Sequence, residues 1–210
     1  MSNILFIPSD RKVWIDFAQL LESKGAKIKM WVGPSSLDSI AGESFPNCTI
    51  YDFYNSHRGN TGVGSIQYSA SKEVLGDPRF YILKDKAYKI MDRQDDLRIF
   101  SRLERESLFY LIFNSFYSEI IKNKIQTFVC GEAPHSTVGI ILYGICELLD
   151  IPRYHLMGSS VVPAGHICKD FYGQKIPVST LDNSFKEECK KHLGLFIDSF
   201  SSIADEPLYM

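Results

Sequence analysis

The sequence predicts an α/β fold in which helices cover both faces of a mostly parallel sheet. Two separate stretches, residues 3–32 and 127–157, lead to this prediction. In each of them a short apolar run is followed by a polar turn, then by apolar residues at helical spacing, and then by a second apolar run. That order is typical of a β-α-β unit, whose crossover is right-handed and whose two strands are parallel.

The first unit opens with NILFIP at residues 3–8, a continuous apolar run of the kind that forms a strand buried on both faces. Apolar residues then recur at helical spacing across residues 12–24, and Gly25 occupies the position of a C-terminal capping glycine. KIKMWV at residues 27–32 predicts the second strand.

The later elements follow from similar patterns. TIYDFY at residues 49–54 predicts a third strand, and residues 85–123 predict one long helix or two shorter ones. The second unit consists of a strand at residues 127–131, a helix at 137–149 and a strand at 153–157.

Together these elements predict a Rossmann-like, three-layer α/β domain over residues 1–182, with a helical and loop-rich insertion around residues 55–125. Residues 183–210 predict a C-terminal helix and tail. Because that end lacks a clear helix terminator, we expect it to lead into a second domain.

Composition narrows the function classes. With 23 basic and 25 acidic residues and a net charge of -2, the chain has no overall charge that would attract nucleic acid. No apolar run approaches the roughly 20 residues that a membrane span needs, and the N-terminus is not a signal peptide. The five cysteines are widely spread without a C-x-x-C pair, which favours reduced thiols and a cytoplasmic protein.

Two phosphate-binding motifs are absent or incomplete. The turn after the first strand reads PSDRKVW where a dinucleotide fingerprint would read G-x-G-x-x-G, so no such cofactor is expected there. Gly59 and Gly64 have the spacing of a P-loop, but Ser65 stands where that motif needs its lysine. The glycine-rich segment is therefore interpreted as a flexible loop or lid.

Parallel strands place their carboxyl ends at one edge of the sheet, where ligands bind in such folds. Polar residues follow two of the predicted strands, and we assign them to substrate binding or catalysis: Ser9, Asp10 and Arg11 after the first, and Glu132, His135 and Ser136 after FVCG. Asp10 and Ser136 can also be plain helix caps, and Arg11 a plain surface ion pair.

Glu132 and His135 are the candidate catalytic residues. A carboxylate next to a histidine at a helix N-terminus can supply a general base and the group that orients it. The positive end of a helix also favours a neutral imidazole, which can accept a proton near pH 7. The alternative is a solvated turn in which His135 has no chemical role.

A third loop, HLMGSSVVPAGH, follows the last predicted strand of the second unit. Gly158, Ser159 and Ser160 can offer N–H groups to an anion, and His166 can reach the same cleft. The spacing of these residues does not predict a metal site.

Two segments resemble the N-terminal half of bacterial surface or capsular polysaccharide biosynthesis proteins of the GT-B glycosyltransferase type. They are NILFIPSDRKVWIDFAQLLESKGAKIKMWVG and GEAPHSTVGIILYGICELLDIP, the latter with an acid-Pro-His turn that leads into a helix. In that family two Rossmann-like domains face each other. The N-terminal domain holds the carbohydrate acceptor and the C-terminal domain the nucleotide-sugar.

The resemblance implies sugar transfer to a carbohydrate acceptor, with Glu132 or His135 as the base and with Asp10 and Arg11 lining the acceptor cleft. It implies no metal and no cofactor in this domain, since the nucleotide-sugar would bind in a partner domain. A chain of 210 residues has no room for that second domain. We therefore expect activity only together with a C-terminal domain or in a homodimer. The alternative is a non-catalytic carbohydrate- or nucleotide-binding or assembly module.

Overall fold

A computed structural model describes residues 2–9, 12–95, 97, 99–158 and 165–169, and for residues 157, 158, 165 and 166 only the backbone. Its strands are Asn3–Ile7 (β1), Lys27–Gly33 (β2), Thr49–Asp52 (β3), Thr127–Cys130 (β4), Arg153–Gly158 (β5) and Gly165–Cys168 (β6). Its α-helices are Val13–Ser23 (α1), Asp38–Ser44 (α2), Phe53–His57 (α3), Lys72–Gly76 (α4), Pro78–Gln94 (α5), Arg102–Lys122 (α6) and Thr137–Leu148 (α7). The predicted tail, residues 183–210, lies outside the described residues.

The six strands form one sheet in the order β3-β2-β1-β4-β5-β6. All neighbouring pairs from β3 to β5 are parallel, and β6 pairs antiparallel with β5. The predicted α/β fold with a mostly parallel sheet is therefore confirmed. The chain order of the strands reverses between β1 and β4, and such a switch point opens a crevice at the carboxyl ends of the strands.

Helices cover both faces of the sheet. On one face α1 and α2 bury an aromatic core, in which the rings of Phe6 and Trp31 stack at 5.2 Å between centroids. On the other face α5, α6 and α7 bury a larger core. Because β1, β4 and the second half of β2 are buried on both faces, their sequences are apolar there rather than alternating.

The third strand is shorter than predicted. It ends at Asp52, whose carboxylate accepts a hydrogen bond of 2.6 Å from the backbone N–H of Asn55. That bond caps α3, so FYNSH forms a short helix where the pattern had suggested continued strand and loop.

Residues 85–123, for which one long helix or two shorter ones were predicted, belong to two antiparallel helices, α5 and α6. Asp95 ends α5, and Ser101 and Glu104 form a capping box that starts α6. Arg105 of α6 pairs with Asp92 and Asp95, so these ion pairs join the two helices instead of lying within one.

The glycine-rich loop is packed onto α6. Ser118 of this helix accepts hydrogen bonds from the backbone N–H groups of Gln67 and Tyr68, at 2.9 and 3.1 Å. The backbone at Gly59 has a φ of 84°, and a Cβ there would lie 2.9 Å from a side-chain carbon of Leu111.

Within the described part of the chain, no helix is both long and apolar enough to cross a bilayer.

Candidate functional site

The loop after β1 and the loop after β4 meet at the switch point of the sheet. The backbone N–H of Gly131 donates to the carbonyl of Ile7 at 2.7 Å. A Cβ on Gly131 would lie 2.9 Å from the backbone nitrogen of Ser9 and 3.0 Å from the ring of Trp14. Only glycine permits so close an approach, and Gly131 thereby lets the two loops pack against each other.

The two serines of these loops hold local structure. The Ser9 hydroxyl accepts a hydrogen bond from the indole N–H of Trp14 at 2.5 Å, which ties the β1 loop to α1. The Ser136 hydroxyl accepts from the backbone N–H of Gly139 at 3.1 Å and is the N-cap of α7. Each hydroxyl still has a proton to donate to a ligand.

The catalytic candidates Glu132 and His135 are both exposed in the turn between β4 and α7. Nδ1 of His135 lies 3.0 Å from the carbonyl oxygen of Ala133. A carbonyl oxygen can only accept, so Nδ1 carries the proton in this hydrogen bond. In the neutral ring Nε2 then has the free lone pair and can take a proton from a ligand.

The end of α5 fixes the shape of this turn. The guanidinium of Arg93 donates to the carbonyl of His135 at 2.8 Å. The Thr137 hydroxyl donates to the side-chain oxygen of Gln94 at 2.7 Å. Two adjacent residues of α5 thus bind the first residues of α7 and hold the His135 backbone in place.

His57, at the end of α3, is a further site residue that the sequence analysis missed. Helix α3 packs against α7, and the half-buried His57 ring makes an edge contact with Phe53 at 4.7 Å. Burial and, to a smaller extent, the nearby charge of His135 together lower the pKa of His57 to about 4. At pH 7 the His57 ring is therefore neutral. In the sequence, Asp52 as an N-capping residue was the signal that could have predicted α3 and with it the position of His57.

The other predicted binding residues lie on β5 and β6 or outside the described residues. Gly158 ends β5 and pairs with Gly165, while His166 lies in β6 opposite Met157. Asp10, Arg11, Ser159 and Ser160 are outside the described residues.

The buried Cys130 directly precedes the β4 turn but does not suit nucleophilic chemistry. Cys130 ends β4, and its burial raises the pKa of its thiol to about 12. His155 of β5, next to Cys130 in the sheet, is buried.

In the described ranges no group of three or more His, Cys, Asp or Glu side chains could hold a metal ion.

In comparisons with known proteins, no protein-family model and no curated protein matches this sequence.

Proposed function

We propose that this chain is the acceptor-binding α/β domain of a glycosyltransferase for surface carbohydrate, which moves a sugar from a nucleotide-sugar to a carbohydrate acceptor. The observation that carries the proposal is the exposed turn at the switch point. There Glu132 and His135 are both exposed in the turn that starts at Gly131, which packs against Ser9, and Nδ1 of His135 bonds to the carbonyl of Ala133. This edge of the sheet is where α/β folds bind their ligands.

His135 is the base that this geometry favours. Its Nε2 would take the proton of the acceptor hydroxyl while the acceptor oxygen forms a bond to the anomeric carbon of the donor sugar. The bond from that carbon to the nucleoside diphosphate breaks at the same time, and the diphosphate leaves with the electron pair. The carbonyl of Ala133 holds the opposite ring nitrogen and so keeps the ring in the required tautomer.

The uncharged ring of His57 favours proton transfer to His135. When His135 takes a proton, a second imidazolium nearby would oppose the new charge. The low pKa of His57 keeps its ring neutral at pH 7, so this repulsion is absent. Glu132, in the same turn, would stabilise the imidazolium or replace His135 as the base.

The first experiment tests acceptor binding. The isotope-labelled 210-residue chain is titrated with a panel of oligosaccharides and followed by NMR. We expect the amide signals of residues 131–137 to shift with at least one saccharide. Shifts confined to other parts of the chain, or no shifts at all, would refute an acceptor site in this turn.

The second experiment tests the base. Release of nucleoside diphosphate from nucleotide-sugars is measured in the gene product with the saccharides found by NMR. We expect His135→Gln to lower kcat by about a hundredfold or more and to leave saccharide affinity nearly unchanged. Glu132→Gln is measured in the same assay, and Glu43→Gln, at an exposed acid on α2, is its matched control. Saccharide binding without any transfer would favour the binding-module alternative.

A further inference from the structure

Helix α3 carries an exposed aromatic ring close to the candidate site. The side chain of Tyr54 is 59% exposed, and its ring meets the ring of Phe53 edge-on, with 5.8 Å between centroids and 86° between planes. Phe53 itself packs against the larger core, so this contact restrains the Tyr54 ring on one side. A single exposed tyrosine is common on protein surfaces, and what distinguishes Tyr54 is its position.

Tyr54 lies next to His57 on the surface of α3. Residues three positions apart on a helix are neighbours, with about 5–6 Å between their Cβ atoms. Helix α3 packs against α7, and His57 is close enough to His135 for the two rings to interact through their charge. The Tyr54 ring therefore lies within about one helical turn of the residue that neighbours the proposed base.

The ring of His57 has hydrogen-bonding groups to offer a ligand. Within the described part of the chain no hydrogen bond involves either ring nitrogen, and the half-buried ring stays partly open to solvent. A neutral imidazole has one donor and one acceptor nitrogen. A hydroxyl group is likewise both a donor and an acceptor, so the His57 ring suits a hydroxyl better than a charged group.

We propose that Tyr54 and His57 form a subsite for one neutral sugar ring of the acceptor, which stacks on Tyr54 and bonds through a hydroxyl to His57. A pyranose has a face of C–H groups and a rim of hydroxyls, and an exposed aromatic ring beside a neutral imidazole matches both. A tyrosine side chain has only two torsions to order, so stacking on it costs little conformational entropy. The subsite rests on the proposed function, because it assumes that an acceptor reaches His135.

The test titrates three neutral trisaccharides, cellotriose, maltotriose and triacetylchitotriose, and the nucleoside uridine into the isotope-labelled 210-residue chain. The amide shifts of residues 131–137 give the Kd. For a saccharide that binds, we expect Tyr54→Ala to raise the Kd by about tenfold, and Tyr54→Phe, which keeps the ring, to change it by less than about twofold. In the unaltered chain we expect nuclear Overhauser effects between the Tyr54 ring protons and the C–H protons of the saccharide.

Tyr81→Ala is the matched control. Tyr81 is 62% exposed, and its ring meets the ring of Phe80 edge-on at 5.9 Å between centroids, much as Tyr54 meets its own neighbour. It lies on α5 about 18 Å along the helix axis from Arg93, which contacts the turn of the site. This variant should bind saccharides like the unaltered chain. Both tyrosines are exposed, so circular dichroism should show both alanine variants folded.

The outcomes separate the subsite from the proposed function. If a saccharide shifts residues 131–137 but binds Tyr54→Ala as tightly as the unaltered chain, or makes no contact with the Tyr54 ring, the subsite is overturned and the proposed function stands. Equal weakening by Tyr81→Ala also overturns the subsite. If no saccharide binds, the acceptor site itself is refuted and the subsite with it. Binding of uridine alone, lost in Tyr54→Ala, assigns the ring to a nucleobase and overturns the sugar subsite.

Discussion

The low pKa of His57 makes the stability of this domain depend on pH. In the folded protein the pKa is about 4, against 6.5 for the ordinary group. Between these values the unfolded chain binds a proton at this residue and the folded chain does not. Stability from His57 is therefore fully present above about pH 6.5 and falls as the pH drops toward 4.

The size of the effect follows from the two pKa values. Between pH 7 and pH 5 the linkage amounts to about 2 kcal/mol, and partial exposure of the ring reduces it to about 1 to 2 kcal/mol. His57→Gln removes the titrating group and keeps a neutral polar side chain. We expect this variant to lose correspondingly less stability over the same interval.

The assay is urea unfolding of the unaltered chain and of His57→Gln at pH 7 and at pH 5. Subtracting the two pH dependences removes the contribution of all other titrating groups. His135→Gln should weaken this pH dependence without abolishing it, because burial is a larger cause of the low pKa of His57 than the charge of His135. If the unaltered chain and His57→Gln lose stability in parallel, the burial assigned to His57 is wrong.

Three further predictions concern stability and are measured by urea unfolding. Gly144→Ala places a methyl group 2.4 to 2.8 Å from carbon atoms of Leu83, where α5 crosses α7, so we expect a loss of about 1 to 3 kcal/mol. The double variant with Leu83→Ala should lose less than the two single losses combined, and strict additivity would contradict the overlap. Tyr51→Phe removes the 2.6 Å hydrogen bond to the buried carboxylate of Glu119, at an expected cost of about 1 kcal/mol, since Glu119 keeps other donors. Ser101→Ala removes the cap of α6 and should cost about 1 kcal/mol, and no change would argue against the capping box.

Local patterns were enough to predict five of the six strands and the meeting of two loops at one edge of the sheet. The strands at residues 3–8, 27–32 and 127–131 are short apolar runs bounded by turn residues, and all three are strands in the structure. Parallel pairing then requires the loops after the first and third of these runs to lie at the same edge of the sheet. The contact between Gly131 and Ser9 is a consequence of that arrangement.

Other features of the site depend on contacts that no local pattern contains. The strand-like residues TIYDFY become helical after Asp52 because one side-chain hydrogen bond ends the strand, and this places His57 near His135. The bond from Arg93 to the carbonyl of His135 joins residues 42 positions apart. Spacing along the chain carries no information about such a pair, because the hydrogen bond depends on how α5 packs against α7.

The geometry of the candidate site is therefore set by the insertion between β3 and β4 as much as by the β4 turn itself. Arg93 and Gln94, at the end of α5, hold the start of α7 and the turn before it. A change that displaces the end of α5 therefore acts on the backbone of His135 through the hydrogen bond from Arg93. Because the position of Nε2 relative to a bound hydroxyl decides whether a proton can be transferred, the packing of α5 against α7 affects the chemistry proposed for the turn.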